Sequence, residues 1–191
     1  IMTVYKAIQG FAVQTVAGDP TANDGQVWYN SVANTFRLSK GPVANVWASS
    51  PSLNTARQGL TGSGSNTSML VFGGYPPTTA VGTTETFNGS WTTGNPMSTA
   101  RYSSGGAGFS SSGSLVFGGD PGDKNNTESY NGSWTNTGNL NTGRSNNAGS
   151  GSQDRALSMG GQGASSVVER YTTGTWTAVQ SLNTGRQGLG G

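Results

Sequence analysis

The sequence repeats itself with a period of about 43 residues, and this period limits the folds open to it. Tryptophans mark the period at positions separated by 44, 43 and 42 residues: Trp47, Trp91, Trp134 and Trp176. Residues that recur at similar spacing are Arg57, Arg101, Arg144 and Arg186, and Glu85, Glu128 and Glu169. Because three independent markers share one period, the chain is a tandem array whose members bury their apolar faces against one another.

An apolar run that ends in two glycines is the clearest motif inside each repeat. It occurs at residues 69–74 and 114–119, and in a more divergent form at 156–161. Four or five strand-forming residues predict a buried strand, and a glycine pair permits positive φ and a close approach of neighbouring backbone. These glycines are Gly73, Gly74, Gly118, Gly119, Gly160 and Gly161.

The sequence predicts four short antiparallel strands in each repeat and almost no helix. In the first full repeat the first predicted strand, at 58–61, follows the arginine. The apolar run is the second strand, and the third strand, at 84–87, carries the glutamate. The fourth begins at the tryptophan. Asn-Gly at 88–89 predicts a type I′ hairpin, which needs positive φ at two residues. In the third repeat the segment from the aromatic residue to the tryptophan, at 171–176, is one residue longer, so we expect a looser turn there.

Four antiparallel strands per repeat are typical of a β-propeller blade, so the predicted fold class is all-β. The boundaries are 1–40 for an N-terminal leader with a β-hairpin and 41–191 for the array, with full blades at about 57–100, 101–143 and 144–185 and partial blades at both ends. Closed propellers use about 4–8 blades. We therefore expect either a natural chain that continues or copies that pool their arrays as a homo-oligomer.

The composition argues against several functional classes. The 191 residues include no Cys and no His, which removes thiolate nucleophiles, the commonest general base and the commonest metal ligands. Basic residues are scattered and the net charge is only +2, so no nucleic-acid surface is predicted. No stretch approaches the ~20 apolar residues of a membrane helix. We expect a non-enzymatic protein without cofactors, nucleic-acid partners or membrane insertion.

The repeat resembles the kelch family. The resemblance lies in the apolar runs that end in Gly-Gly, in the aromatic residues Phe87, Tyr130 and Tyr171, and in the tryptophan of each repeat. It covers roughly residues 47–191. Only three or four residues separate the aromatic residue from the tryptophan, fewer than in kelch units.

A fuller likeness is to kelch-like proteins of tailed bacteriophages, especially marine ones. It rests on Gly-Gln-Val-Trp-Tyr-Asn-Ser at 25–31, on Asn-Thr-Phe at 34–36 and on the Leu-Asn-Thr-Ala/Gly-Arg phrases. This resemblance implies a virion surface protein, a tail fibre or a head fibre, that is assembled in the host cytoplasm. It also implies that the leader attaches to other virion proteins and that the repeats meet a host-surface glycan or protein.

Recurrence decides how the charged residues are interpreted. A catalytic site is normally built once per domain, whereas structural pairs return with every blade. We therefore expect the recurring arginines to hold loops, onto the glutamates, and the tryptophans to wedge between sheets. The segment at 120–126 is interpreted as a solvated turn rather than a Ca²⁺ site, since it lacks the acidic density of such loops.

Loops between the second and third strands differ most among the repeats, which is typical of binding loops. They span 75–82, 120–126 and 162–165. The candidate receptor-binding residues are Tyr75, Pro76, Asp120, Asp123, Lys124 and Gln162. A propeller enzyme is disfavoured, because a copper oxidase needs His and Cys and a glycosidase needs paired carboxylates. The alternative to the virion protein is a cellular or secreted kelch-type module that binds proteins or glycans.

Overall fold

The computed structural model describes residues 14–17, 27–38 and 49–188, and every regular element in these ranges is a β-strand. The predicted all-β class is therefore confirmed. The chain divides into two compact units, 1–50 and 51–191. Trp47 and large parts of the predicted leader lie outside the described residues. Within the described ranges there is no helix with the length and apolar character that crossing a bilayer requires.

The N-terminal unit contains a three-stranded sheet. Strand β1 (Gln14–Val16) pairs in parallel with β2 (Val27–Asn30), which pairs antiparallel with β3 (Thr35–Leu38). The predicted hairpin is thus present. The Asn30 side chain accepts hydrogen bonds from the N–H groups of Val32 and Ala33 at 3.1 and 2.9 Å, which closes the turn between β2 and β3.

The C-terminal unit contains three four-stranded sheets, one for each full repeat. Within each sheet the strands pair antiparallel in sequence order. The first sheet is β4 (Thr61–Gly64), β5 (Met69–Phe72), β6 (Thr84–Phe87) and β7 (Trp91–Gly94). The second is β8 (Gly105–Ser110), β9 (Gly113–Phe117), β10 (Thr127–Tyr130) and β11 (Trp134–Thr137). The third is β12 (Ala148–Gly151), β13 (Arg155–Met159), β14 (Val168–Thr172) and β15 (Thr175–Ala178).

Two local expectations were wrong. The first strand of the first sheet was predicted at 58–61 but begins at Thr61, because Gly59 has a φ of 64° and turns the chain. The 171–176 turn is tighter than its counterparts, not looser. Thr172 pairs with Thr175, so only Thr173 and Gly174 form the turn, and both have positive φ.

The first two hairpins between third and fourth strands also depart from the predicted turn type. Phe87 pairs with Trp91 across a three-residue turn in which Gly89 alone has positive φ. Tyr130 and Trp134 are paired in the same way. The extra residue of the third copy therefore lengthens its strands and leaves a two-residue turn.

Tryptophans fill the spaces between neighbouring sheets. Trp134 of the second sheet packs edge-on against Phe72 of the first, with ring centroids 5.0 Å apart. Its Nε1 donates a hydrogen bond to Thr84 Oγ1 at 2.9 Å. Trp176 of the third sheet repeats this contact on Phe117 of the second, at 4.8 Å. Each of these tryptophans therefore joins its sheet to the preceding one.

Two apolar clusters form the core, one at each junction between sheets. The first contains Leu70, Phe72, Met97, Val116 and Tyr130, with Trp134 packed against it. The second contains Ala107, Leu115, Phe117, Leu140, Ala156, Tyr171 and Trp176. Met97 and Leu140 come from the connections that precede the recurring arginines, so these connections are packed into the core.

Glycines allow the first strands of the three sheets to lie side by side, with β8 in contact with both β4 and β12. A Cβ atom at Gly149 would lie 2.2 Å from the carbonyl oxygen of Gly106. A Cβ atom at Gly106 would lie 2.6 Å from the Thr61 side chain. The small residues of these strands are therefore a packing requirement.

A ladder of main-chain hydrogen bonds runs across the repeats just before these strands. The N–H of Ser103 donates to Gly59 O at 2.8 Å, the N–H of Asn146 to Ser103 O at 2.8 Å, and the N–H of Gly188 to Asn146 O at 3.0 Å. All four residues have positive φ, between 51° and 64°. Each lies two positions after a recurring arginine, so the period of the sequence is also a period of backbone conformation.

Candidate functional site

The recurring arginines and glutamates form buried ion pairs. Arg101 Nη2 lies 2.8 Å from Glu128 Oε1, and neither side chain has exposed surface. Arg144 and Glu169 are paired in the same way, and Arg57 and Glu85 also form a buried pair, but through Nη1 of the arginine. Burial lowers the pKa of Arg101, and the charge and hydrogen bond of Glu128 oppose that shift.

The guanidinium of Arg101 is otherwise bonded to main-chain carbonyls. Its Nη1 donates to Gly118 O at 2.9 Å and to Asn126 O at 2.8 Å. The second oxygen of Glu128 accepts the N–H of Ser98 at 2.8 Å. One ion pair therefore fastens both the loop after β9 and the connection after β7 to the second sheet.

We call an arginine–glutamate pair with these bonds a clamp, and the clamp of Arg101 also reaches back to the preceding sheet. The N–H of Gly74 donates to the carbonyl of Arg101 at 2.8 Å, while the Arg101 side chain binds the second sheet. A Cβ atom at Gly73 would lie 2.4 Å from that same carbonyl. The Gly-Gly pair and the recurring arginine are thus two halves of one contact between sheets.

The same main-chain bond is found at the next two junctions. Gly119 N–H donates to Arg144 O at 2.8 Å, and Gly161 N–H donates to Arg186 O at 3.0 Å. The Arg186 side chain is exposed and has no ion pair among the described residues. Arg186 thus makes the main-chain hydrogen bond of the clamp but, among the described residues, not its ion pair.

Arg57 binds its glutamate differently from the other two arginines. Its Nε donates to Gly73 O at 2.8 Å, and its Nη1 donates to Thr55 O at 3.1 Å and to Glu85. Its Nη2 is buried and has no hydrogen-bond partner in the described part of the chain. Burial would raise the pKa of Glu85, but hydrogen bonds from Arg57 and the Asn54 N–H, together with the Arg57 charge, hold it below its ordinary value.

An open depression in the surface, of about 290 Å³, lies beside this arginine. Tyr75 and Gln58 pair through their backbones at its edge, with the Tyr75 N–H donating to Gln58 O at 2.9 Å. The ring of Tyr75 lies 4.6 Å from that of Tyr102, measured between centroids and tilted by 58°. The lining residues are Ala56, Arg57, Gln58, Tyr75, Pro76 and Pro77.

The predicted contact residues of the other repeats lie at equivalent positions. Asp120 pairs with Tyr102 as Tyr75 pairs with Gln58. The Gln162 N–H donates to Ser145 O at 2.8 Å, and Ser145 Oγ lies 2.8 Å from Gln162 Oε1 and 2.7 Å from Asp123 Oδ1. In each repeat, then, the residue after the Gly-Gly pair meets the residue after the arginine.

These contacts collect at one end of the sheets, because strands alternate in direction and alternate connections emerge together. We call this the loop end, and it comprises residues 73–83, 95–104, 118–126, 138–147 and 160–167. Lys124 also lies there and donates to Pro121 O at 2.9 Å. Sequence reasoning missed Gln58, Tyr102 and Ser145. The available signal was their position directly after each recurring arginine, where the repeats disagree.

A second, polar cleft of about 380 Å³ lies where the second and third sheets meet, between Asn131, Asn136 and Asp154. Gln153 crosses this junction, since its Nε2 donates to Ser129 Oγ at 2.7 Å and to Tyr130 O at 2.6 Å. Its amide is thus engaged in joining the two sheets.

In the described parts of the chain, no group of three or more His, Cys, Asp or Glu side chains is placed to hold a metal ion. The segment at 120–126 accordingly forms no such group. Comparison with known proteins adds no family: no protein-family model matches the chain, and no curated protein matches it.

Proposed function

We propose that this chain is a non-catalytic attachment protein that displays variable loops from a repeated β-sheet scaffold. Its place would be on the virion of a tailed bacteriophage, as a tail fibre or head fibre. The N-terminal unit would attach it to other virion proteins, and the loop end would meet the host surface. Copies would associate as a homo-oligomer.

The observation that carries this proposal is that recurring side chains hold the scaffold together, whereas non-recurring side chains occupy the loops. The three glutamates of the repeats are each bound to an arginine and hold sheets together. The loops that follow the Gly-Gly pairs at the loop end, by contrast, differ in length and residue type from repeat to repeat. A rigid frame with variable loops is the usual arrangement of a recognition protein.

The virion location rests on the sequence resemblance described above. Gly-Gln-Val-Trp-Tyr-Asn-Ser at 25–31 and the repeated Leu-Asn-Thr-Ala/Gly-Arg phrases both belong to that resemblance. A scaffold of stacked small sheets suits such a place, because loops can change while the frame stays the same.

Two measurements test the proposal. Mass spectrometry of purified particles from the source of the sequence should detect peptides of this chain. An excess of the purified 191-residue chain should then reduce adsorption of those particles to their host, and the same chain unfolded by heat should not.

Absence from the particles would refute the virion location and favour the cellular or secreted binding module. Presence in the particles without competition for adsorption would refute host attachment. Hydrolysis of host envelope glycans by the purified chain would refute the non-catalytic assignment.

A further inference from the structure

We infer that two copies of this chain pair head to tail, with residues 181–188 of one copy replacing residues 52–59 on the first sheet of the other. The inference deepens the homo-oligomer of the proposed function and rests on it, because it names the partner and the surfaces that meet. It is argued from the two outer sheets, which within the C-terminal unit have a neighbouring sheet on one side only.

The connections that lead into the first sheet and out of the third have almost the same sequence. Residues 52–60 and 181–189 are identical at eight of nine positions, and Gly185 stands where the earlier copy has Ala56. We call residues 52–59 the first segment and residues 181–188 the last segment. Exchange of a like element between copies is a low-cost route to a dimer.

The last segment has the donors of a clamp but no glutamate. In the first segment the N–H of Asn54 donates to Glu85 Oε2 at 2.7 Å, and the Arg57 guanidinium binds the other oxygen. Arg186, the counterpart of Arg57, is exposed and has no ion pair among the described residues. All three glutamates of the chain are already paired, so a glutamate for Arg186 is supplied by a second copy.

A steric contact decides which segment lies on the third sheet. The last segment is bound there through its main chain, with the Gly161 N–H donating to Arg186 O at 3.0 Å. A Cβ atom at Gly185 would lie 1.8 Å from the carbonyl oxygen of Ala164. This contact excludes Ala56 from that position, whereas a glycine fits in place of the alanine on the first sheet. The last segment therefore stays on its own third sheet and receives the first sheet of the partner.

The third sheet has an apolar face that matches the interfaces between sheets. Leu157 and Met159 of β13 are partly exposed. Their counterparts in the first two sheets have no exposed surface: Leu70, Phe72, Leu115 and Phe117. The next sheet covers those counterparts at both internal junctions. The outer face of the third sheet is thus continuous with an established interface, and a sheet of the same kind covers it.

The first sheet presents the complementary face. Phe87 of β6 and Trp91 of β7 are partly exposed. Tyr130 and Tyr171, the counterparts of Phe87, are only 4% exposed because they pack against the preceding sheet. In the pair, Phe87 and Trp91 of one copy pack against Met159 of the other, and a methionine adapts to aromatic rings and makes favourable sulfur contacts with them.

Hydrogen bonding at the two outer faces is matched as well. Trp134 and Trp176 donate from Nε1 to a threonine of the preceding sheet, whereas Trp91 donates to the main-chain carbonyl of Pro51 at 2.9 Å. The third sheet has Val168, which offers no side-chain acceptor, at the position of those threonines. The residue before the last segment supplies the carbonyl equivalent to that of Pro51. A tryptophan that needs no threonine thus meets a sheet that has none.

Two such junctions close a ring. Each copy contributes three four-stranded sheets, so two copies give six, within the range of about 4–8 blades in closed propellers. The first segment of each copy competes with the exchange at an effective concentration in the millimolar range. Dimers therefore form in concentrated solution, and dilute samples are monomeric.

Sedimentation equilibrium of the purified 191-residue chain over a range of concentrations tests the pairing. The mass should rise with concentration and level off at two copies. A chain that stays monomeric up to about 1 mM would overturn the inference. A mass that keeps rising past two copies would overturn it too, because the junctions would then fail to close.

The equivalent arginines of the two segments should respond in opposite directions. Arg186→Ala should weaken pairing about tenfold or more, because it removes the donor to Glu85 of the partner. Arg57→Ala should strengthen pairing about tenfold or more, because it weakens the competing segment. Arg155→Ala, which removes an exposed arginine of the third sheet outside the last segment, should leave pairing unchanged. Equal pairing by the Arg186→Ala and Arg155→Ala chains would overturn the exchange.

A variant of the apolar face covers the case in which Arg57→Ala fails to fold. Met159→Lys places a charge where the partner packs, and Met159 is partly exposed in a single copy, so the variant should fold and stay monomeric. Pairing of Met159→Lys as strong as that of the unchanged chain would overturn the proposed interface.

Adsorption competition separates this inference from the proposed function. A chain that competes with particles for the host but does not pair would overturn the head-to-tail pairing alone. A chain that pairs as described but does not compete would overturn the attachment role, while the pairing would stand.

Discussion

Removing the carboxylate of Glu128 should destabilise the C-terminal unit by about 3–5 kcal/mol. The reason is that Glu128→Ala leaves the guanidinium of Arg101 buried without a counter-charge. Neither side chain of the pair has exposed surface, and Arg101 is also enclosed by the carbonyls of Gly118 and Asn126. It therefore cannot reach water without opening the junction between two sheets. The cost is a large share of the roughly 5–15 kcal/mol that stabilises a typical domain.

Urea unfolding followed by tryptophan fluorescence measures this cost. With a slope of about 2 kcal/mol per molar urea, a loss of 4 kcal/mol lowers the midpoint by about 2 M. Arg186→Ala is the matched control, because that arginine recurs in the sequence but its side chain is exposed, so the change should stay within about 0.5 kcal/mol.

A double variant isolates the charge. Arg101→Met combined with Glu128→Leu removes both charges and keeps similar volume, so it should recover at least about 1 kcal/mol relative to Glu128→Ala. A cost below about 1 kcal/mol for Glu128→Ala would refute the reasoning. So would a double variant that recovers nothing, because the loss would then come from hydrogen bonds and not from a stranded charge.

Three further perturbations should be visible in the same unfolding assay. Trp176→Ala should cost about 3–5 kcal/mol, and Trp91→Ala should cost less because Trp91 is partly exposed; equal costs would contradict the wedge role. At Gly73, where φ is 69°, the added Cβ atom of Gly73→Ala would lie 2.4 Å from the carbonyl oxygen of Arg101. The Cβ atom of Gly89→Ala would meet nothing within 4 Å, so that variant should lose only the backbone strain of about 1–3 kcal/mol in stability. Gly73→Ala should therefore be the more damaging, and the reverse order would contradict the close approach. The pKa of Glu85 is lower in the folded than in the unfolded chain, where it is about 4.3. The stability that ionised Glu85 contributes is therefore complete above that unfolded pKa and is lost as the pH falls through the folded pKa. Glu85→Gln should flatten the pH dependence of the unfolding free energy below about pH 5.

Periodicity predicted the architecture because it records which contacts recur. Apolar runs, Gly-Gly pairs and tryptophans return in every repeat because each repeat makes the same contacts with its neighbours. That reasoning yielded three four-stranded sheets and identified Arg101 and Glu128 as residues that hold loops. The predicted start of strand β4 was wrong, because the positive φ of Gly59 turns the chain before the strand begins at Thr61, and the residue types alone do not show that turn.

Other features escaped sequence reasoning for a related reason. The parallel pairing of β1 with β2 joins segments that share no repeat, and parallel pairing has no local turn signature of the kind that marks a hairpin. At the candidate site, Tyr102 contacts Tyr75 from the next repeat, 27 positions along the chain. Periodicity shows which positions recur but not which non-recurring side chains meet. The unusual arrangement of Arg57 is likewise invisible in the sequence, since its residue type matches the other repeats.

The backbone ladder through Gly59, Ser103, Asn146 and Gly188 has a consequence for how such a surface can evolve. Its bonds use only N–H and C=O groups, so they persist whatever side chains stand beside them. The adjacent positions, Gln58, Tyr102, Ser145 and Gln187, already differ in every pair but one. The residue type at these positions can therefore change without breaking the hydrogen bonds of the ladder. New specificities can then accumulate one repeat at a time without the scaffold having to be rebuilt.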